Sequence, residues 1–256
     1  MTNPHGTPIW YELMTSDPDA AQAFYTDVIG WTVGTFPSSP DAPADYRIFS
    51  ALDGEGVGGM MKSPEGGPPP GWFSYIGVDD VDAAAKKIAD AGGSIHMPPT
   101  DLEGVGRMAM VADPQGVIFY VMKGSSPEGS TSYKRMAPGH AEWNELLAAD
   151  DAAALAFYGD QFGWTKDGAM PMGEMGDYSF ISHDGGVIGG VMKAPPGERP
   201  RWNYFFRVGG IEAAKGRIEA GGGQIVQGPI EVPGGDWVIY ATDPQGAKFG
   251  VVGSKG

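Results

Sequence analysis

Two glutamates stand in matching places along this 256-residue chain, in Trp10-Tyr11-Glu12-Leu13 and in Trp143-Asn144-Glu145-Leu146. On an extended strand, positions two apart share a face, so Glu12 is expected beside Trp10 and Glu145 beside Trp143. Where such a face turns inward, the carboxylate loses hydration and its pKa should rise. That suits a general acid or base, or a partner for a cationic or hydrogen-bonding ligand. The competing reading is structural: each glutamate pairs with an arginine such as Arg47, Arg107 or Arg207. Both readings stay open.

The remaining candidates are weaker. His5, His96, His140 and His183 show no His-x-Glu or His-x-x-x-His ligand spacing and are expected in loops or solvent. His140 is the exception to watch, because it stands three residues before Trp143, at the mouth of the same strand. The glycine-rich stretches 54–59 and 185–190 lack the following helix and the Lys-Ser/Thr pair of a phosphate loop, so they read as tight hairpins with close backbone approach. Met60, Met61 and the methionines of 170–175 read as core or adaptable lining, and Tyr46, Tyr178 and Tyr240 as packing or wall residues.

Composition narrows the chemistry. With 32 acidic and 17 basic residues, the formal charge of −15 opposes binding to nucleic acid or anionic membranes. Cysteine is absent, which excludes disulfides, thiolate nucleophiles and sulfur-ligated metal sites. Residues 1–8 lack a basic segment followed by an apolar one, and no run approaches the roughly 20 apolar residues of a membrane helix. A cytoplasmic location is the expectation.

The elements that must position the glutamates are written twice. Trp10, Phe24-Tyr25 and Gly30-Trp31 return 133 positions later as Trp143, Phe157-Tyr158 and Gly163-Trp164. The offset is 130 by Trp72 and Trp202 and remains so at Asp113-Pro114-Gln115-Gly116 and Asp243-Pro244-Gln245-Gly246. Each half divides again. The spacing predicts a strand over 9–14, a helix over 19–29 capped by Asp17, Pro18 and Gly30, and strands over 31–36, 46–52 and 57–62. A strand over 72–78 then leads to a helix with Val81, Ala84, Ala85 and Ile88 on one face, followed by strands over 94–98, 107–111 and 117–122. The expected division is a first domain over 1–124, a polar linker over 125–138 and a second domain over 139–256, each domain able to bury its own core.

Four β-α-β-β-β units, Asp before Phe-Tyr, Gly-Trp after it and Asp-Pro-x-Gly before the last strand together resemble the vicinal oxygen chelate superfamily. This superfamily holds glyoxalase I, bleomycin-resistance proteins, fosfomycin-resistance transferases and extradiol dioxygenases. The Trp-x-Glu-Leu openings are most similar to its tandem, glyoxalase-like bacterial branch. The resemblance implies an α+β chain of two tandem domains whose four units form curved, cup-like mixed sheets. It also implies metal ligands on the first strand, on the strand opening the second unit and on the final strand, typically His, His or Gln, and Glu. Those positions here hold Trp10 and Trp143, Trp72 and Trp202, and Tyr120 and Gly250. None holds a divalent metal, since tryptophan only donates, tyrosine ligates poorly until ionised and glycine has no side chain.

The implied reading is a metal-independent, cofactor-free small-molecule-binding protein with aromatic-lined cups. Its ligand-binding residues would be Trp10, Glu12, Trp72, Tyr120, Trp143, Glu145 and Trp202; the alternative for the tryptophans is that they fill the cavity as core. By analogy to swapped relatives, one cup would combine Trp10 and Glu12 with Trp202, and the other Trp143 and Glu145 with Trp72 and Tyr120; pairing within each half is the alternative. The expected ligand is a planar or cationic organic molecule. The chain would be a pseudo-dimeric monomer or a homodimer. Three rivals remain: a lyase, isomerase or hydrolase using Glu12 or Glu145, a divalent-metal enzyme with displaced ligands, and a scaffold without a ligand.

Overall fold

The computed structural model describes residues 3–35 and 45–256. In the first half, β1 (Pro8–Thr15), α1 (Pro18–Ile29), β2 (Thr32–Thr35), β3 (Arg47–Ser50) and β4 (Gly56–Lys62) form one unit, and β5 (Gly71–Gly77), α2 (Val81–Asp90), β6 (Ser94–Leu102), β7 (Gly106–Ala112) and β8 (Ile118–Gly124) the next. The second half repeats this order as β9 (Ala141–Ala148), α3 (Asp151–Phe162), β10 (Thr165–Pro171), β11 (Asp177–His183), β12 (Gly186–Lys193), β13 (Arg201–Gly210), α4 (Ile211–Ala220), β14 (Gln224–Glu231), β15 (Trp237–Thr242) and β16 (Lys248–Ser254). The α+β architecture with two tandem, curved mixed sheets is as the resemblance implies. Of the strand expected over 31–36, Phe36 lies outside the described residues.

Local chemistry explains the helix boundaries. Asp17, Asp80 and Asp150 each accept a backbone N–H three residues on, satisfying a donor that a helix start leaves orphaned. Gly30 and Gly163 close α1 and α3 at φ 90° and 72°, a backbone region costly for any residue with a Cβ. Pro98 and Pro99 sit on β6, which lies at a sheet edge where a missing N–H breaks no interior ladder. No helix among the described residues is long and apolar enough to cross a membrane.

Each half makes one eight-stranded sheet, in the orders β2-β3-β4-β1-β5-β8-β7-β6 and β10-β11-β12-β9-β13-β16-β15-β14. The two units of one half join through antiparallel β1 and β5, or β9 and β13. The swapped pairing is therefore corrected: both units of each cup come from the same half.

The cores do not divide where the sheets do. One buried cluster runs through both halves, holding Tyr11, Tyr25, Trp31 and Trp72 with Tyr158, Trp202, Tyr204 and Phe206. Tyr11 packs edge-on against Tyr204 at 5.2 Å, and Trp72 lies 4.8 Å from Phe206. Hydrogen bonds cross reciprocally: Tyr25 donates to Asp243 (3.0 Å) and Tyr158 to Asp113 (3.2 Å). Asp113 and Asp243 also accept the N–H groups of their own turns, so the Phe-Tyr and Asp-Pro-Gln-Gly motifs act together in clamping the halves. The segment expected as a polar linker is packed against both halves. Ser132 is buried, Tyr133 bridges to Ala141 and donates to the Val187 carbonyl, and Lys134 pairs with Asp53.

Candidate functional site

Alternation along β1 sends Tyr11 and Leu13 into the shared core and Trp10, Glu12 and Met14 to the opposite, concave face. There they meet Phe73 and Tyr75 of β5, Tyr120 of β8 and the methionines Met61, Met97, Met108, Met110 and Met122. In the second half, Trp143, Glu145 and Leu147 take the same face, with Tyr178, Phe205, Tyr240 and Met192 around them.

Each cup is organised about its carboxylate. Glu12 is 3% exposed and accepts hydrogen bonds from Tyr46 and Tyr75. Glu145 is 1% exposed; its Oε2 accepts from Tyr178 (3.1 Å) and Tyr240 (2.8 Å), and its Oε1 from the Asn203 amide (3.0 Å). The tryptophans feed this arrangement. Trp10 Nε1 donates to the Tyr46 hydroxyl at 3.0 Å and Trp143 Nε1 to the Tyr178 hydroxyl at 2.7 Å, leaving each phenol's own proton for the glutamate. The glycine pairs make this geometry possible. A Cβ on Gly59 would lie 2.0 Å from the Tyr46 oxygen, and one on Gly190 2.1 Å from the Tyr178 ring.

Burial sets the electrostatics. Desolvation pushes the Glu12 carboxyl up to about 7, against the opposing pull of the Tyr46 and Tyr75 hydrogen bonds. Desolvation also raises Glu145, opposed by its bonds from Asn203, Tyr240 and Tyr178 and by the charge of Arg201. Burial holds the phenols of Tyr46 and Tyr178 protonated, and the neighbouring carboxylates add to that effect.

The tertiary structure sorts the sequence candidates. Trp10, Glu12 and Tyr120 come together in the first cup, and Trp143 and Glu145 in the second. Trp72 and Trp202 do not join them. Trp72 pairs in register with Leu13 and Trp202 with Leu146, so both point into the shared core, where they donate to Tyr25 and Tyr158. The residues that face the cups from these strands are their neighbours Phe73, Tyr75, Asn203 and Phe205, because a one-residue step reverses the face. Gly250 contributes an absence: the Phe205 ring occupies the space its Cβ would need.

The arginine alternative is corrected too. Arg47 pairs with Asp19 and Asp45, Arg107 with Asp82 and Asp101, and Arg207 with Glu142 and Asp236. His140 is fully buried, bonded to the Thr131 carbonyl and to Asp53, and braces the connecting segment instead of opening a cup. A surface cleft lined by Lys166, Asp167, Ser182 and His183 includes none of the cup residues.

Comparison with known proteins agrees with the fold. A profile described as the Glyoxalase/Bleomycin resistance protein/Dioxygenase superfamily matches residues 8–121 and again 138–251. A Mycobacterium bovis protein named "Putative glyoxylase CFP32" is 34% identical over 253 residues, covering 96% of this chain and 94% of that protein. The anthracycline biosynthesis protein DnrV of Streptomyces peucetius is 32% identical over 268 residues, covering 96% and 93%. Among solved structures, the Mn(II)-bound glyoxalase from Novosphingobium aromaticivorans superposes with a TM-score of 0.67 at 18% identity, over 99% of this chain and 84% of that one, a likeness of fold.

Proposed function

Because the chain belongs to the glyoxalase/bleomycin resistance protein/dioxygenase superfamily, we propose that it binds a planar organic molecule in aromatic and methionine-lined cups without a metal ion. The observation that carries this reading is the repeated floor. Each half holds one buried glutamate, hydrogen-bonded by tyrosines and surrounded by apolar side chains. Apolar walls with a few convergent polar groups are the usual construction of a small-molecule site, and methionines adapt to flat ligands of varied outline. The name of the Streptomyces relative points the same way, since anthracyclines are flat fused-ring compounds.

The metal centre implied by the superfamily does not fit these residues. The first cup is offered one carboxylate, already engaged by two phenols, beside Trp10, Phe73, Tyr75 and Tyr120; the second is offered Glu145, Asn203 and a bare Gly250. Among the described residues no group of three or more His, Cys, Asp or Glu side chains is arranged to hold a metal ion. Neutral phenols and indoles are poor ligands for the hard or borderline divalent cations such sites take.

The test joins metal content with binding. The purified protein is incubated with Mn, Fe, Ni, Co and Zn, desalted and analysed for metal, then titrated with a panel of fused-ring aromatics by calorimetry. Saturable binding by protein with no retained metal is the expected result. Stoichiometric metal retention, or no binding across the panel, would overturn the reading. A second reading is supported by the Glu12 carboxyl near 7, a value suited to proton transfer at neutral pH in an isomerase, lyase or hydrolase. There, Glu12→Gln abolishes turnover and spares binding, whereas turnover that survives in this variant removes Glu12 as the proton carrier.

A further inference from the structure

Resting on the reading of the cups as small-molecule sites, we infer that the second cup selects an organic cation, held by the Glu145 carboxylate within a wall formed by Trp143, Tyr178, Phe205 and Tyr240. Asn203 is the residue that separates its chemistry from that of the first cup.

The two carboxylates occupy the same place in the repeat but face different neighbours across the strand pair. Glu12 lies opposite Phe73 and Glu145 opposite Asn203. Asn203 accepts from Arg201 Nε at 3.1 Å through its side-chain oxygen, which fixes the amide so that its NH2 points at Glu145 Oε1. Three donors therefore converge on Glu145, two on Oε2 and one on Oε1. These bonds support the charged form against the burial that disfavours it, and a cation beside the carboxylate would support it further.

The Glu145 carboxyl has no cation in direct contact. Among the described residues no lysine, arginine or histidine forms an ion pair with Glu145; Arg201, whose charge reaches it from beyond Asn203, pairs with Glu198, which Lys248 shares. A buried charge satisfied only by neutral donors gains most from a ligand that brings the opposite charge.

The rings are placed to help. Phe205 and Tyr240 meet edge to face at 4.9 Å and 89°, and Trp143 stands at 80° to Phe180, so ring faces bound the cup at angles. In the first cup Tyr120 stacks flat on Tyr75 at 4.2 Å and 2°, a slab suited to a neutral plane. The bare Gly250 removes the counterpart of Tyr120, and Phe205 lies down over it. The chain also supplies a sign that these rings attract cations: the Arg135 guanidinium sits 5.8 Å from the centre of the Trp143 ring.

The test uses two planar probes of nearly equal shape, 10-methylacridinium and neutral acridine, titrated into the full-length protein by calorimetry at pH 8. The cation is expected to bind at least tenfold more tightly, and Glu145→Gln to abolish that preference while near-ultraviolet circular dichroism remains native. Asn203→Leu, which keeps the carboxylate and removes its third donor, is expected to weaken the preference in part. Glu128→Gln, which removes an exposed charge, controls for the acidity of the whole molecule and should change nothing. Equal affinity for the two probes in the unmodified protein, or a preference that survives Glu145→Gln, would overturn the inference while leaving the cups as binding sites. If neither probe binds, the underlying reading falls together with it.

Discussion

Glu12 links folding to pH in a direction set by burial. Its carboxyl titrates near 7 in the fold and near 4.5 when unburied, so the folded state holds the proton more tightly and folding takes one up between those values. Stability therefore declines as pH rises from about 4.5 to 7, by about 3 kcal/mol, and the loss persists above 7. Glu12→Gln removes the ionisation and keeps an acceptor for the tyrosines. Its melting temperature relative to the wild type is expected to climb across this window and level off beyond it; a difference independent of pH would contradict a desolvated carboxylate. Tyr46→Phe removes a hydrogen bond that favours the charged form, so the Glu12 carboxyl should titrate higher still, as read from its 13C shift against pH. At this scale the pairing of Trp10 with Glu12, and its recurrence in the second half, was legible from spacing alone. The donors were not, because Tyr46, Tyr75, Tyr178 and Tyr240 reach the carboxylates from other strands.

The strands decide which of those donors arrive. In β5, Trp72-Phe73-Ser74-Tyr75 carries large rings on both faces, so alternation alone does not say which face is the cup. The antiparallel register with β1 does, by setting Phe73 opposite Glu12 and Trp72 opposite Leu13. The glycines of β4 and β12 are the complementary device. Gly59→Ala and Gly190→Ala would push a methyl into the tyrosine that crosses over them, at an expected cost of about 1–3 kcal/mol in denaturant unfolding. In Gly59→Ala the Glu12 carboxyl should also titrate higher, as in Tyr46→Phe. Gly34→Ala, on β2 with open space around it, is the control and should leave that titration unmoved. The close backbone approach expected of the glycine stretches is present, since a Cβ on Gly189 would meet the Asn144 carbonyl oxygen at 1.9 Å.

At the scale of the molecule, the two sheets share their largest buried cluster, so the halves are expected to unfold together. Tyr25→Phe and Tyr158→Phe each remove a donor to a buried aspartate of the opposite half and should cost about 1–3 kcal/mol apiece, within a single urea transition. Two separated transitions would show that the halves stand alone. The Phe-Tyr and Asp-Pro-Gln-Gly motifs that make the family recognisable thus serve this junction and lie in the shared core, away from the cups. The duplication, the unit order, the helix caps and the shared face of each Trp-Glu pair were all determined by the sequence itself, because they depend on residues a few positions apart. Pairing of units within each half, the core location of Trp72 and Trp202, and the Asn203 donor that distinguishes the second cup were decided only in three dimensions. They depend on strand register between segments some 60 residues apart, as with Asn203 and Glu145 at a separation of 58, where one step of register exchanges core for cup.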